Sequence, residues 1–217
     1  MSESRRPAML NHTSNNPQTG APATPALKRP MIAEEELMAL ALRYGPPRLR
    51  TYNVQADEYI YSYRWRGESD RRAEVVFAIQ DEMGRVWVHS KPHYPAHIFR
   101  LPTGGVAWDE PVDTALFREI DEETGLPVYA VRFLGLIEYR FIHEDSMVRF
   151  ASYVFHLRSN GAQPVCHAGE SICGFRAVLP SQVLQIAEDL RNLIGSRRGW
   201  GQWRALAHDL VYESLSS

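Results

Sequence analysis

The stretch from Leu101 to Pro127 limits the fold more than any other part of this chain. Gly104 and Gly105 follow an apolar run, so the backbone there can turn sharply and come close to a ligand. Pro111 suits the first position of a helix, with Asp109 or Glu110 at the cap. Gly125 and Pro127 stop it. The spacing predicts a helix over Pro111 to Thr124, about four turns long. Val112, Leu116 and Ile120 recur every fourth residue and supply an apolar stripe that must be buried. Glu119, Glu122 and Glu123 stand at i, i+3 and i+4, so three carboxylates share one face. They repel one another unless a cation neutralises them, and hard oxygen donors of this kind suit Mg²⁺ or Mn²⁺. Arg118 is placed to reach Glu122 one turn on and hold its rotamer.

Residues 1–30 are rich in Pro, Ser, Thr and Asn and poor in large apolar side chains, so they are expected to form a disordered tail. Residues 31–217 are expected to form one domain. Ile32 to Arg43 reads as a short amphipathic helix with three consecutive glutamates near its positive end, stopped by Tyr44-Gly45-Pro46. Tyr59, Tyr61, Tyr63 and Trp65 alternate with Ile60, Ser62 and Arg64, which predicts a strand whose tyrosines pack on a sheet face. Ala73 to Ile79 and Arg85 to His89 read as a hairpin around Asp81 to Gly84. Val128 to Ile142 and Met147 to Leu157 read as two long strands turning at His143-Glu144-Asp145, and Ile172 to Leu179 as another strand. Apolar residues then fall at helical spacing from Val183 to Leu193 and from Trp203 to Val211, with Gly195 and Gly199 separating two helices. Strands and helices mixed in this way predict a mixed sheet with helices packed on it.

Lys and Arg total 24 against 26 Asp and Glu, a net charge of -2, so no global basic excess draws the chain to nucleic acid or an anionic membrane. Two cysteines, Cys166 and Cys173, are too few for a disulfide scaffold or a four-cysteine zinc site and read as small buried hydrophobes. No apolar run approaches the roughly 20 residues a membrane helix needs, and no secretory pattern follows Met1, so a cytoplasmic protein is expected. His93 and His97 are four apart, but Pro95 between them speaks against a helical zinc pair.

From Gly104 the chain reads five residues, Glu110, seven residues, then Arg118-Glu119-Ile120-Asp121-Glu122-Glu123-Thr124-Gly125-Leu126. This resembles the Nudix box, G-x5-E-x7-R-E-U-x-E-E-x-G-U with U aliphatic, and every fixed position is filled. The resemblance implies a Nudix-type α/β/α sandwich around a mixed β-sheet. It also implies a metal-dependent hydrolase that cleaves a diphosphate linkage in a nucleoside diphosphate joined to another moiety. On this chain Glu119, Glu122 and Glu123 would ligate Mg²⁺ or Mn²⁺ or handle the water, and Arg118 would orient a glutamate. Gly104 and Gly105 would shape the substrate loop; Glu110 and Gly125 would support the box. A late-loop glutamate often serves as the family's general base, which makes Glu170 a candidate ahead of Glu144 and Asp145.

The markers of individual Nudix substrate groups are missing from the surrounding sequence. Lys91, Tyr94 and Arg100 lie near the expected site and are candidates for binding phosphates or a base. Ser196-Arg197-Arg198-Gly199-Trp200 reads as a solvated turn. A small-molecule partner is expected, with neither membrane nor nucleic acid, and a homodimer is left open. Two other readings stand beside the hydrolase: a non-catalytic Nudix-fold module that senses a nucleotide, and a prenyl-diphosphate isomerase. The first sits poorly with intact glutamates. The second wants a cysteine upstream of the box, and both cysteines lie downstream.

Overall fold

The computed structural model describes residues 29–66, 71–95, 97–165, 171–172 and 174–216. The element order is α1 (Glu34–Tyr44), β1 (Arg48–Gln55), α2 (Glu58–Arg64), β2 (Ala73–Gln80), β3 (Val86–Ser90), β4 (Thr103–Val106) and α3 (Val112–Thr124). It continues with β5 (Val128–His143), β6 (Ser146–Ser159), β7 (Gly174–Val178), α4 (Pro180–Arg191), a 3-10 turn (Gly195–Arg197) and α5 (Arg198–Leu215).

The strands form one mixed sheet in the order β1-β5-β6-β2-β3-β7, and β4 pairs with β2. β1 runs parallel to β5 and β6 parallel to β2, while the β5–β6 and β2–β3 hairpins are antiparallel. β2 explains the layers. It is buried nearly throughout, and its residues alternate between two apolar cores. Val75, Phe77 and Ile79 pack with Val112, Leu116 and Ile120 of α3 and with Leu40 of α1. Val76 and Ala78 pack with Val183 and Leu190 of α4 and with Trp203 and Leu210 of α5. The result is the expected α/β/α sandwich, with the apolar stripe of α3 facing the sheet as its spacing requires.

The expected hairpin, the two long strands and the four expected helices, two on each face of the sheet, stand as read. Two elements are corrected. Gly104 and Gly105, expected in a sharply turning loop, lie within β4, pair with β2 and have no positive φ. Tyr59 to Trp65 is not a strand: Glu58–Arg64 is helical, and Asp57 caps it by accepting a hydrogen bond from the Ile60 N–H at 2.9 Å. Residues four apart share a face at period 2 and at period 3.6 alike, so Tyr59 with Tyr63 and Tyr61 with Trp65 satisfy both patterns. The capping aspartate decides between them. Gly199 does not interrupt the last two helices either; it lies in the first turn of α5, and Gly195, at φ 65°, makes the break.

The tail reading falls largely outside the described residues, as do Glu170 and both cysteines. At its described end, the Arg29 N–H donates to the Trp108 carbonyl at 2.7 Å, so the chain entering α1 lies against the loop before α3.

Candidate active site

α3 begins differently from the sequence reading. Pro111 is itself the N-cap and supplies no side-chain cap. The Val112 N–H instead donates to Glu36 Oε1 of α1 at 2.9 Å, so a carboxylate from a distant helix satisfies the positive end. Glu36 also pairs with the fully buried Arg72 side chain at 2.9 Å. The other end is as expected. Gly125 is left-handed, at φ 59°, and its N–H donates to the carbonyls of Ile120 and Asp121.

Arg118 is the hub of the box. Its Nε and Nη2 donate to both oxygens of Glu110 at 2.9 Å, and Nη1 donates to Glu119 Oε1 at 2.8 Å and to Glu122 Oε2 at 3.0 Å. Nη2 also donates to the Gly105 carbonyl at 3.0 Å, which ties the helix to β4. Such a planar fork matches several carboxylates at once. Its acidic partners hold the guanidinium protonated more firmly than usual, Glu110 most of all. Burial opposes ionisation of Glu110, but Arg118 and the Ala107 N–H outweigh it and keep this carboxyl below its ordinary range.

β4 meets this helix at Gly104. A Cβ there would lie 1.9 Å from Glu119 Cγ, so the side chain of Glu119 occupies the space a larger residue would need. Glu119 Oε1 accepts the Gly105 N–H at 2.9 Å. Even so, burial pushes the Glu119 carboxyl above its ordinary value.

The three glutamates are unequal. Glu122 is half-exposed, while Glu123 is 2% exposed. Lys91 Nζ donates to Glu123 Oε1 at 2.8 Å; Oε2 is buried and has no hydrogen-bond partner among the described residues. His89 Nδ1 lies 3.8 Å from that oxygen, too far for a hydrogen bond. Burial holds the His89 ring neutral, with the Arg100 and Lys91 charges adding to the effect. Burial pushes Glu123 up, and Lys91 offsets only part of that.

Among the described residues no three His, Cys, Asp or Glu side chains stand close enough together to enclose a metal ion. The donor chemistry nevertheless fits a hard divalent cation. Glu119 and Glu123 are both under-compensated, and Glu123 holds an open oxygen. An incoming ion would share these oxygens with Arg118 and Lys91.

Lys91 and Arg100, singled out in the sequence, come together at a cavity of about 230 Å³ beside Glu123. Other lining residues were not anticipated: Tyr59 and Tyr63 of α2, Arg71, and Trp200 and Arg204 of α5. The misread helix hid the first two. The supposed solvated turn is also packed: Arg197 stacks 4.0 Å from the Tyr59 ring centroid, and Trp200 is buried.

The family model described as NUDIX domain matches residues 70–195, more than half of the chain. The chain belongs to the NUDIX domain family and, with its box complete, is a Nudix hydrolase. No curated protein matches it. Among solved structures it is similar to a NUDIX hydrolase from Listeria monocytogenes, at 15% identity and TM-score 0.47 over 66% of this chain and 94% of that one. It is similar to a MutT NUDIX hydrolase from Burkholderia pseudomallei, at 21% identity and TM-score 0.45 over 66% and 99%. It is also similar to the E. coli dihydroneopterin triphosphate pyrophosphohydrolase, at 16% identity and TM-score 0.45 over 62% and 96%. No helix among the described residues is long and apolar enough to cross a membrane.

Proposed function

We propose that this Nudix hydrolase cleaves the phosphoanhydride bond of a nucleoside diphosphate linked to another moiety, with Mg²⁺ or Mn²⁺ held by Glu119, Glu122 and Glu123. The carrying observation is the open, buried Oε2 of Glu123, on the helix face that also bears Glu119 and Glu122. A carboxylate in that position calls for a cation to complete it. When bound, such an ion neutralises diphosphate charge and lowers the pKa of attacking water. The chain's own residues do the placing. Arg118 holds Glu110, Glu119 and Glu122 in one array, and Lys91 holds Glu123. Lys91 and Arg100 would receive the phosphates, beside the Gly104-Gly105 segment of β4. The family resemblance makes Glu170 the proposed base for the water's proton.

The test is a hydrolysis screen over nucleoside triphosphates, ADP-ribose, nucleotide sugars, dinucleoside polyphosphates and capped RNA, with Mg²⁺ and with chelator. Chelator should abolish turnover and Mg²⁺ or Mn²⁺ restore it. Glu122→Gln and Glu123→Gln should each lose on the order of 10² or more in turnover. They should also lose the rise in melting temperature that Mg²⁺ gives the parent protein. Near-parental turnover in both variants would leave the box a structural element and overturn the proposal.

A further inference from the structure

Five of the eleven residues that line the cavity beside Lys91 come from segments outside the family match. Tyr59 and Tyr63 come from α2, and Trp200, Trp203 and Arg204 from α5. The match covers only residues 70–195. Arg71, Lys91, Arg100 and Arg204 line the cavity, and among the described residues no carboxylate does.

The cations are not equivalent. Arg204 is neutralised from behind by Glu74, at 2.8 Å to both oxygens. Arg100 is different: it is 6% exposed and pairs with no carboxylate among the described residues. Its Nε donates to the Tyr94 hydroxyl at 2.6 Å, and Nη1 to the Leu101 carbonyl and the Thr103 hydroxyl at 2.8 and 3.0 Å. Its other terminal nitrogen makes no hydrogen bond to a described residue. Burying a guanidinium among neutral acceptors is costly unless an anion completes it.

Rings line the same cavity. Tyr94 lies against Trp200, with centroids 5.3 Å apart, and Tyr59 and Tyr63 are nearly parallel at 8°. Planar groups stack on such surfaces, and each base so held contributes roughly tenfold or more in affinity. A volume of about 230 Å³ is below the roughly 300–1,000 Å³ of sites for drug-sized ligands. It suits one ring system, with Lys91, which bonds Glu123, and Arg100 in the same wall to meet attached phosphates.

We infer that this cavity is the subsite for the nucleotide half of the substrate, completed by α2 and α5, with the base against Tyr63 and Trp200 and its phosphate on Arg100. The inference rests on the diphosphate-hydrolase reading, but its test does not need turnover. Binding of nucleoside 5′-monophosphates, ribose 5-phosphate and inorganic phosphate is measured calorimetrically in chelator on the full chain. At least one nucleoside monophosphate should bind tenfold or more tighter than ribose 5-phosphate. Tyr63→Ala should remove that preference, leaving ribose 5-phosphate binding unchanged. Arg100→Gln should weaken nucleotide and ribose 5-phosphate tenfold or more. If Arg100→Gln does not fold, the ligand comparison and Tyr63→Ala still decide. Equal affinity for nucleotide and ribose 5-phosphate, or parental nucleotide affinity in a folded Tyr63→Ala, overturns the subsite. Ring-selective binding without hydrolysis of any substrate would sink the hydrolase reading and leave the subsite standing. Hydrolysis without ring-selective binding does the reverse.

Discussion

Gly104→Ala is the most informative single change, because adjacent Gly105 is a built-in control. The added methyl would lie 1.9 Å from Glu119 Cγ, 2.1 Å from Cδ and 2.4 Å from Cβ. A rotamer change moves Cγ and Cδ away but not Cβ, which the backbone of α3 fixes. Relief of the last overlap therefore parts β4 from α3 by about 1 Å, from 2.4 Å to an ordinary contact near 3.4 Å. Overpacking of this kind costs about 1–3 kcal/mol. In a domain of this size that lowers the melting temperature by about 2–12 °C. A misplacement of about 1 Å at a reacting centre costs on the order of 10² in rate. Glu119 also loses its 2.9 Å bond from the Gly105 N–H. At Gly105 the three atoms nearest the same methyl all belong to the flexible Arg71 side chain, the first at 3.5 Å. Gly105→Ala should therefore stay within about 0.5 kcal/mol of the parent. The assay is turnover of the best screened substrate with Mg²⁺, beside thermal melting in chelator. Gly104→Ala with parental turnover and melting would refute this account of the β4–α3 contact; so would equal damage from the two alanines.

Glu36→Ala should destabilise the protein by about 3–5 kcal/mol, because it strands the buried Arg72 and uncaps α3. A denaturant midpoint showing less than about 1 kcal/mol would mean α1 is peripheral to the box. Stability should also fall in acid through His208. Its Nε2 accepts the Leu101 N–H at 3.0 Å, its Nδ1 bonds the Arg204 carbonyl, and burial holds its pKa down to about 3. Between the unfolded value of about 6.5 and that native value only the unfolded chain is protonated, so the contribution is lost as pH falls. The loss from about pH 7 to about pH 5 is about 2 kcal/mol. His208→Gln, which does not titrate, should lower that pH dependence by this amount in urea melts, and an unchanged slope would exclude His208 as its source.

The box was legible because its information is local. Helix spacing alone puts Val112, Leu116 and Ile120 on one face and three glutamates on another, and Arg118 reaches Glu122 within the same helix. The strands of the central hairpins were legible because β2, β5 and β6 carry sustained apolar runs between turn signals. α2 was not, since over seven residues a period of 2 and a period of 3.6 both bring Tyr59 and Tyr63 to one face. Tertiary contact set everything that separates like residues. It made Gly104 the packing partner of Glu119 and left Gly105 merely adjacent to Arg71. It buried Glu123 beside Lys91 while leaving Glu122 half in water. It capped α3 from Glu36, 76 positions earlier, and brought Arg100 into one cavity with rings of α2 and α5. Sequence spacing fixes which face of one element a side chain occupies. Which distant element meets that face, and how much water is left there, depends on how the layers close, and that closure sets the charge and shape of the site.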